Sequence, residues 1–385
     1  MEVKTQNIQE HKFIVFGCEG FNALGVVRAL GEAGIRPYLV LWDYAELSVY
    51  SKYVQESYLS HTIENGIQYM LSRFGNEKEK PFIFATSDET VSCLDLHYEE
   101  LKDKFYFYNA GEQGRITQMM EKNYLPRLAE SCGLKIPKTE EVLWGQLPTT
   151  LTYPIITKSP TSTIHNWKSN VHICYNERDL LDAFKLIDLE RVVVQEYIEK
   201  VNELNYEGFV INAGRDLYMP LQNKFYRTEK DSYGEYAYIE SNTHLDLLES
   251  IKKLFAKIGY NGIFEMEFLI DKNGQTYFLE INFRSSAWIY AFNKCGVNLP
   301  YMFALSTLQK QVDNSMENIK KLPFSFMYAV TDFKLNVLTG KVSLWRWIRE
   351  FLTADCLFYY NKHDMKPFWA KIRSYLTPVK DQNAV

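Results

Sequence analysis

The sequence lacks several features that would class it quickly. Its 385 residues include 6 cysteines, at positions 18, 93, 132, 174, 295 and 356. None stands at the close spacing of a zinc knuckle or a redox dithiol, so buried free thiols are expected. No run approaches the roughly 18 consecutive apolar residues that a membrane span requires. The start, Met1-Glu2-Val3-Lys4-Thr5-Gln6, has no apolar signal-peptide core, so a soluble, cytoplasmic protein is expected. There is no internal repeat and no low-complexity segment. Neither charge sign dominates: 43 Lys and Arg stand against 48 Asp and Glu, a net −5. With no RNA- or DNA-binding motif either, this argues against a nucleic-acid partner. The turn from Gly17 to Gly25 has neither a G-x-G-x-x-G pattern nor a P-loop lysine. A tight strand-to-helix turn is the plain reading there, and an anionic substrate group at the helix N-terminus is the alternative.

What the chain does have is apolar mass. It is 46% hydrophobic and 15% aromatic, which excludes disorder, and its length favours two or three packed units sharing a cleft. Lys12-Phe13-Ile14-Val15-Phe16, a helical stretch from about Ala23 to Ala33 closed by Gly34, and Arg36 to Leu41 read as a βαβ opening on a parallel sheet. Pro81 to Thr86 reads as a third strand that delivers Ser87-Asp88-Glu89 to its end, where ligands sit in open α/β sheets. A helix from Ile116 to Cys132 is followed by extended Tyr153 to Lys158, a polar stretch, strand-like Val171 to Cys174, a helix from Glu177 to Leu189, and the strand Arg191 to Ile198. Strands at Tyr206 to Asn212 and Leu217 to Leu221 and a helix from Leu245 to Ile258 come next. Strands 262–270 and 276–282 then flank the hairpin turn Asp271-Lys272-Asn273-Gly274.

Acidic residues interrupt those last two apolar strands. Alternation puts Glu265 and Glu267 on one face of the first, and Glu280 and Asn282 on one face of the second. A carboxylate on a buried strand is costly unless a cation meets it. Oxygen donors from Glu267, Glu280 and Asn282, with room left for phosphate oxygens, suit Mg²⁺; a salt-bridged sheet face is the alternative. Lys158 ends an apolar strand and calls for an anion, either a carboxylate of the fold or a phosphate. Lys122, on the preceding helix, is a weaker candidate for the same role.

In order along the chain, Met120-Glu121-Lys122, Gly133 to Thr139, Tyr153 to Lys158, Gln195-Glu196-Tyr197-Ile198, and Phe264-Glu265-Met266-Glu267-Phe268 with Phe278-Leu279-Glu280-Ile281-Asn282-Phe283-Arg284 resemble the ATP-grasp superfamily. In layout the chain is most similar to its carboxylate–amine ligase branch, which includes the D-aspartate ligases of cell-wall synthesis. The resemblance implies an α/β fold with α+β lobes: a Rossmann-like pre-ATP-grasp domain over 1–110, a small lobe with its lid over 111–198, a large lobe over 199–310, and a C-terminal extension over 311–385. It implies ATP and one or two Mg²⁺ as cofactors. Lys122 and Lys158 would hold ATP phosphates, Glu196, Tyr197 and Ile198 would read adenine, and Glu203 would take the ribose hydroxyls. Glu267, Glu280 and Asn282 would hold the metal, with Arg284 on the transferring phosphoryl group. One departure stands out. The loop that covers the phosphates in this family is usually glycine-rich, whereas Ser159 to Asn170 contains no glycine. Thr161, Ser162, Thr163 and Lys168 are its remaining candidates for closing over ATP.

The reaction implied is carboxylate plus amine plus ATP to amide, ADP and phosphate, through an acyl phosphate. Such a site needs cations and positioning rather than a nucleophilic Ser or Cys. Lys224 and Arg227, before the aromatic stretch Asp231 to Tyr238, are candidates to grip an acidic substrate, against the plain reading of surface charge. An amino acid joined to a peptidoglycan side chain or to a uronic acid of a polysaccharide is the expected substrate class. A non-catalytic ATP-binding protein of the same fold is the alternative, as is an enzyme making a carboxyl phosphate. Finally, residues 341–385 hold eight Lys or Arg against four Asp or Glu, or +4, which leaves −9 for the remainder. Interleaved with Trp345, Trp347, Phe351, Phe358, Tyr359, Tyr360, Phe368 and Trp369, these cations admit two readings: a helical cap packed on the body, or a contact with an anionic membrane or lipid-linked glycan.

Overall fold

Short runs of aromatic and β-branched residues in the first hundred positions form three buried strands, joined at one side by an exposed edge strand at 56–59, and the helical connections favour parallel pairing. In the computed structural model, which describes residues 7–17, 20–42, 47–122, 124–159, 170–228 and 234–376, these strands are β1 (Phe13–Phe16), β2 (Tyr38–Leu41), β3 (Glu56–Leu59) and β4 (Phe82–Ala85). They form a parallel sheet in the order β3-β2-β1-β4. Helices α1 (Gly20–Glu32), α2 (Ile63–Phe74), α3 (Asp88–Leu96) and α4 (Tyr98–Leu101) accompany them. Ser87 and Thr90 close a capping box at the start of α3, so Asp88 stands at the helix N-terminus just past the end of β4.

The single helix expected from Ile116 to Cys132 is two, α5 (Arg115–Met119) and α6 (Tyr124–Ser131). Pro126 is the reason: its ring lacks an N–H and collides with the carbonyl four residues back, so a helix cannot run through from Lys122. Lys122 therefore lies on the turn between them. Next comes an antiparallel sheet ordered β5-β8-β6-β7, made of β5 (Thr139–Leu143), β6 (Ile155–Lys158), β7 (Ile173–Cys174) and β8 (Arg191–Glu196). Helix α7 (Glu177–Phe184) covers it. This lobe has a core of its own, in which Val142, Ile155, Leu180, Phe184, Val192 and Val194 pack together.

The third sheet is the largest. Its order is β14-β13-β9-β11-β12-β15-β16, with β10 beside β9. The strands are β9 (Lys200–Ile211), β10 (Asp216–Tyr218), β11 (Leu221–Phe225), β12 (Tyr236–Ser241), β13 (Gly262–Asp271), β14 (Thr276–Asn282), β15 (Phe324–Met327) and β16 (Cys356–Leu357). Two expected strands differ. The run Leu217 to Leu221 is split because Pro220 cannot donate to a ladder, and β9 begins six residues before Tyr206. Helices α8 (Leu245–Ile258), α9 (Ile289–Cys295), α10 (Leu299–Gln309), α11 (Ala329–Asp332), α12 (Leu344–Thr353) and α13 (Lys366–Leu376) complete the described residues. One hydrophobic core runs through both this sheet and the N-terminal sheet, from Phe13 to Phe358. At their junction, α1 lies so close to α9 that a Cβ on Gly25 would come within 2.5 Å of the Ile289 side chain.

The C-terminal segment is part of this body rather than an appended unit. β16 adds to β15, and fully buried Arg28 of α1 binds it. Its Nε donates to Asp364 Oδ2 at 2.9 Å, and its terminal nitrogens donate to the carbonyls of Phe358, Tyr359 and Asp364. No helix among the described residues is long and apolar enough to cross a membrane. Cys132, Cys174, Cys295 and Cys356 are buried free thiols and Cys93 is half-buried; Cys18 lies outside the described residues.

Candidate active site

Antiparallel pairing decides which side chains share a face. Glu265 stands opposite Asn282 and Glu207, and Glu267 stands opposite Glu280 and Asn205. Asn205 in turn pairs with Asn223 of β11. One face of the sheet thus carries two polar rows, Asn282-Glu265-Glu207 and Glu280-Glu267-Asn205-Asn223, while Leu204, Tyr206, Met266 and Ile281 face the core. A register shift follows Glu267, and such an irregularity re-aims the side chains beside it.

The β14 ends of these rows, Glu280 and Asn282, line one side of a cleft whose other walls come from three separate elements. Lys158 reaches in from the end of β6, Lys122 from the α5–α6 turn and Asp88 from the start of α3, alongside Gln195, Glu280 and Asn282. Lys158 Nζ donates to Gln195 Oε1 at 2.8 Å. Arg284, just past β14, donates from Nε to Asp88 Oδ1 at 2.8 Å, an ion pair between the large lobe and the N-terminal domain.

The electrostatics are those of a site short of a partner. Burial pushes Lys158 down to about 8; the Lys122 charge adds to this, while Glu280 and Glu267 oppose it. Burial also lifts Glu267 well above the usual carboxylate range, helped by Glu265, Glu280 and Glu203 and resisted by Arg284. Glu265 rises to about 7 by burial, with Arg284 and the Asn282 hydrogen bond acting against it. Glu207 is lifted by burial and then by Glu265, which favours its neutral form. Asn282 Nδ2 donates to Glu265 at 3.0 Å and to Glu267 at 2.9 Å. Among the described residues, buried Glu267 Oε2 and both amide atoms of Asn205 and of Asn223 meet no hydrogen-bond partner. Unpaired buried polar atoms of this kind cost free energy until something fills the cleft.

A divalent cation fits this deficit. Among the described residues no three His, Cys, Asp or Glu converge as a metal cage, and the candidate donors Glu267, Glu280 and Asn282 include only two carboxylates. That is the sparse oxygen set Mg²⁺ accepts when phosphates and water supply the remainder. Asn282 now presents its N–H groups to the carboxylates, so ligation through its oxygen requires the amide to turn over.

The other candidate residues divide. Glu196, Tyr197 and Ile198 end β8 and form the link into β9, joining the two lobes; the Glu196 N–H bonds the Lys138 carbonyl and the Tyr197 N–H that of Pro154. Glu203 is buried on the cleft-side parity of β9 and is ion-paired with Lys200. Lys168, Thr161, Ser162 and Thr163 lie outside the described residues. Lys224 and Arg227 do not join the site. Lys224 shares the opposite sheet face with Gln222 and is paired with Glu240 at 3.2 Å. Arg227 is held at 2.6 Å by both Asp332 and Glu350. The expected grip on an acidic substrate at the cleft finds no geometry here, because alternation turns Lys224 to the other sheet face and two carboxylates occupy Arg227. Asn205, Glu207 and Asn223 are the residues the sequence reading missed. The alternation Glu203-Leu204-Asn205-Tyr206-Glu207 is the signal that points to the first two, once the strand is begun early enough to include it.

A family model described as "ATP-grasp in the biosynthetic pathway with Ter operon" matches residues 225–328, a segment that contains the carboxylate hairpin. The N5-carboxyaminoimidazole ribonucleotide synthase of Staphylococcus aureus (strain COL) is 27% identical over 172 residues, which are 44% of this chain and 45% of that protein. The chain thus matches less than half the length of this curated relative. Among solved structures, the L-amino acid ligase from Bacillus licheniformis aligns with a TM-score of 0.62 at 14% identity, covering 81% of this chain and 78% of that one. The N5-carboxyaminoimidazole synthetase from Staphylococcus aureus complexed with ADP aligns at 0.60 and 16%, covering 78% of each. The chain thus has the ATP-grasp fold, and the match to an ATP-grasp family model falls on the part of it that holds the carboxylate hairpin.

Proposed function

We propose that the protein is an ATP-dependent carboxylate–amine ligase. A carboxylate oxygen attacks the γ-phosphorus of ATP to give an acyl phosphate and ADP, and a neutral amine then displaces phosphate to form the amide. The observation that carries this reading is the convergence of Lys122 and Lys158 with Glu280 and Asn282 on one cleft. In-line phosphoryl transfer asks for cations, positioning and exclusion of water, and no nucleophilic side chain is required.

Lys122 and Lys158 hold ATP phosphates in this reading, and Glu196 to Ile198 take the adenine at the link between the lobes, with Glu203 near the ribose. Glu267, Glu280 and Asn282 would hold Mg²⁺, which when bound would supply charge neutralisation on the phosphates. Arg284 binds the transferring group, and Asp88 positions the Arg284 guanidinium from the N-terminal domain. The ADP held by the solved structure of a similar fold supports nucleotide as the shared ligand. For substrates we propose an amino acid joined to a cell-wall or polysaccharide precursor, such as a uronic acid.

Phosphate release measured across amino acids against cell-wall precursors and nucleotide-linked uronic acids tests the proposal. Turnover should require both a carboxylate and an amine, and Glu280→Gln should abolish it. Wild-type phosphate release by that variant would refute the site assignment. The bicarbonate held beside MgADP in a solved biotin carboxylase domain of similar fold favours a second reading, in which bicarbonate is the carboxylate that is phosphorylated. Turnover that depends on bicarbonate and proceeds without any other carboxylate would favour it over the first.

A further inference from the structure

Helix α12 (Leu344–Thr353) has no buried residue, although six of its ten positions are Leu, Trp, Ile or Phe. Its inner side is fixed to the body. Trp347 Nε1 donates to Asp332 Oδ2 at 2.8 Å, and its ring packs on Phe333 and Phe351. Glu350 receives Arg227 at 2.6 Å. The orientation is therefore set, and the opposite side is presented outward. That side carries Trp345, 81% exposed, and Leu352, 74% exposed and two turns on, with exposed Leu344 beside Trp345. Scattered exposed leucines need no explanation, but an apolar stripe with a nearly bare tryptophan on a rigidly held helix does.

The charge around the stripe says what covers it. Between 333 and 353 the chain has four cations, Lys334, Lys341, Arg346 and Arg349, and one acid, Glu350. That acid is shared between Arg227, at 2.6 Å, and Arg346, at 2.9 Å, and is itself nearly buried, while Arg346 stays 59% exposed on the outer flank. A second copy of the chain would lay the same basic residues against one another across a two-fold axis, which like charges oppose. An anionic surface with an apolar layer beneath it satisfies both features at once: aromatic and aliphatic side chains enter the interface while Lys and Arg meet headgroups.

We propose that the outer face of α12 docks the protein on an anionic lipid membrane. The test is co-sedimentation of the full chain with phosphatidylcholine vesicles, alone or mixed with phosphatidylglycerol. The protein should pellet with the mixed vesicles, stay in solution with the neutral ones, and be released by salt. Trp345→Ser combined with Leu352→Ser, and separately Arg349→Glu, should each lower partitioning on the order of tenfold, with melting temperature and phosphate release unchanged. Leu186→Ser, at a 70% exposed leucine of the small lobe, should bind like wild type. Equal binding to neutral vesicles, no binding to either, or wild-type partitioning by the α12 variants would overturn the proposal. So would a lipid-free dimer that the Trp345 and Leu352 changes dissociate, since the face would then belong to a second copy.

Discussion

Lys158 ties the site to pH. Its ammonium is displaced to about 8 by burial and by the Lys122 charge, so in the free protein it is protonated below pH 8 and neutral above. Phosphate binding needs the charged form. We expect kcat/KM for ATP to fall as pH rises through about 8, with proton uptake on ATP binding above that point, both readable by calorimetry in two buffers. Lys158→Arg should remove the break. The sign for folding is opposite. Between pH 8 and the ordinary lysine value of 10.5 the unfolded chain binds more protons, so stability from this group rises with pH. Lys158→Met should accordingly raise the melting temperature at neutral pH while abolishing turnover. Asp88 has a different effect. Its ion pair holds Arg284, and Asp88→Asn should lower kcat/KM for the carboxylate and amine by roughly tenfold or more while leaving the ATP KM in place.

At the scale of elements, the hairpin β13–β14 carries both the proposed metal donors and the cost of burying their charge. Glu267 is raised well above its usual value by burial and by neighbouring carboxylates. A carboxylate with a raised folded pKa gives stability at low pH that is lost as pH climbs toward neutral. Mg²⁺ should restore it, so thermal melting at neutral pH should shift upward with Mg²⁺. Glu267→Gln should melt higher than wild type without the ion and respond little to it. An equal Mg²⁺ shift in both proteins would remove Glu267 from the metal set. This hairpin was the most legible part of the chain, because its Asn-Gly turn and its acids on apolar strands are local signals. The break at Lys122 was also written locally, in Pro126, and the helical period outvoted it. Asn205 and Asn223 were not legible in that way. Their place beside Glu267 depends on β9 and β11 pairing in one register, and no local pattern fixes a register between strands so far apart. The same blindness made Lys224 look like a site residue.

The whole molecule shares one core between its first and third sheets, with the small lobe packed separately. Nucleotide closure should then move the small lobe against the remainder, about the link at Glu196 to Ile198. The close contact of Gly25 with Ile289 makes the joint between the other two units intolerant of any side chain. Gly25→Ala should cost about 1 to 3 kcal/mol by overpacking, seen as an earlier denaturant midpoint. The basic tail divides along the same lines. Its strand β16 and the loop to Asp364 are built into the body, while α12 faces outward.

The buried pair of Arg28 with Asp364 also sets an order of events. The two residues are 336 positions apart, so during synthesis the N-terminal sheet leaves the ribosome long before its cation has an anion to meet. At about 5 to 20 residues per second the wait is on the order of 20 to 70 seconds. During that time α1 must either keep Arg28 in water, and so remain undocked, or pay for burying it alone. The N-terminal sheet therefore gains its last buried ion pair only once the C-terminal segment has emerged.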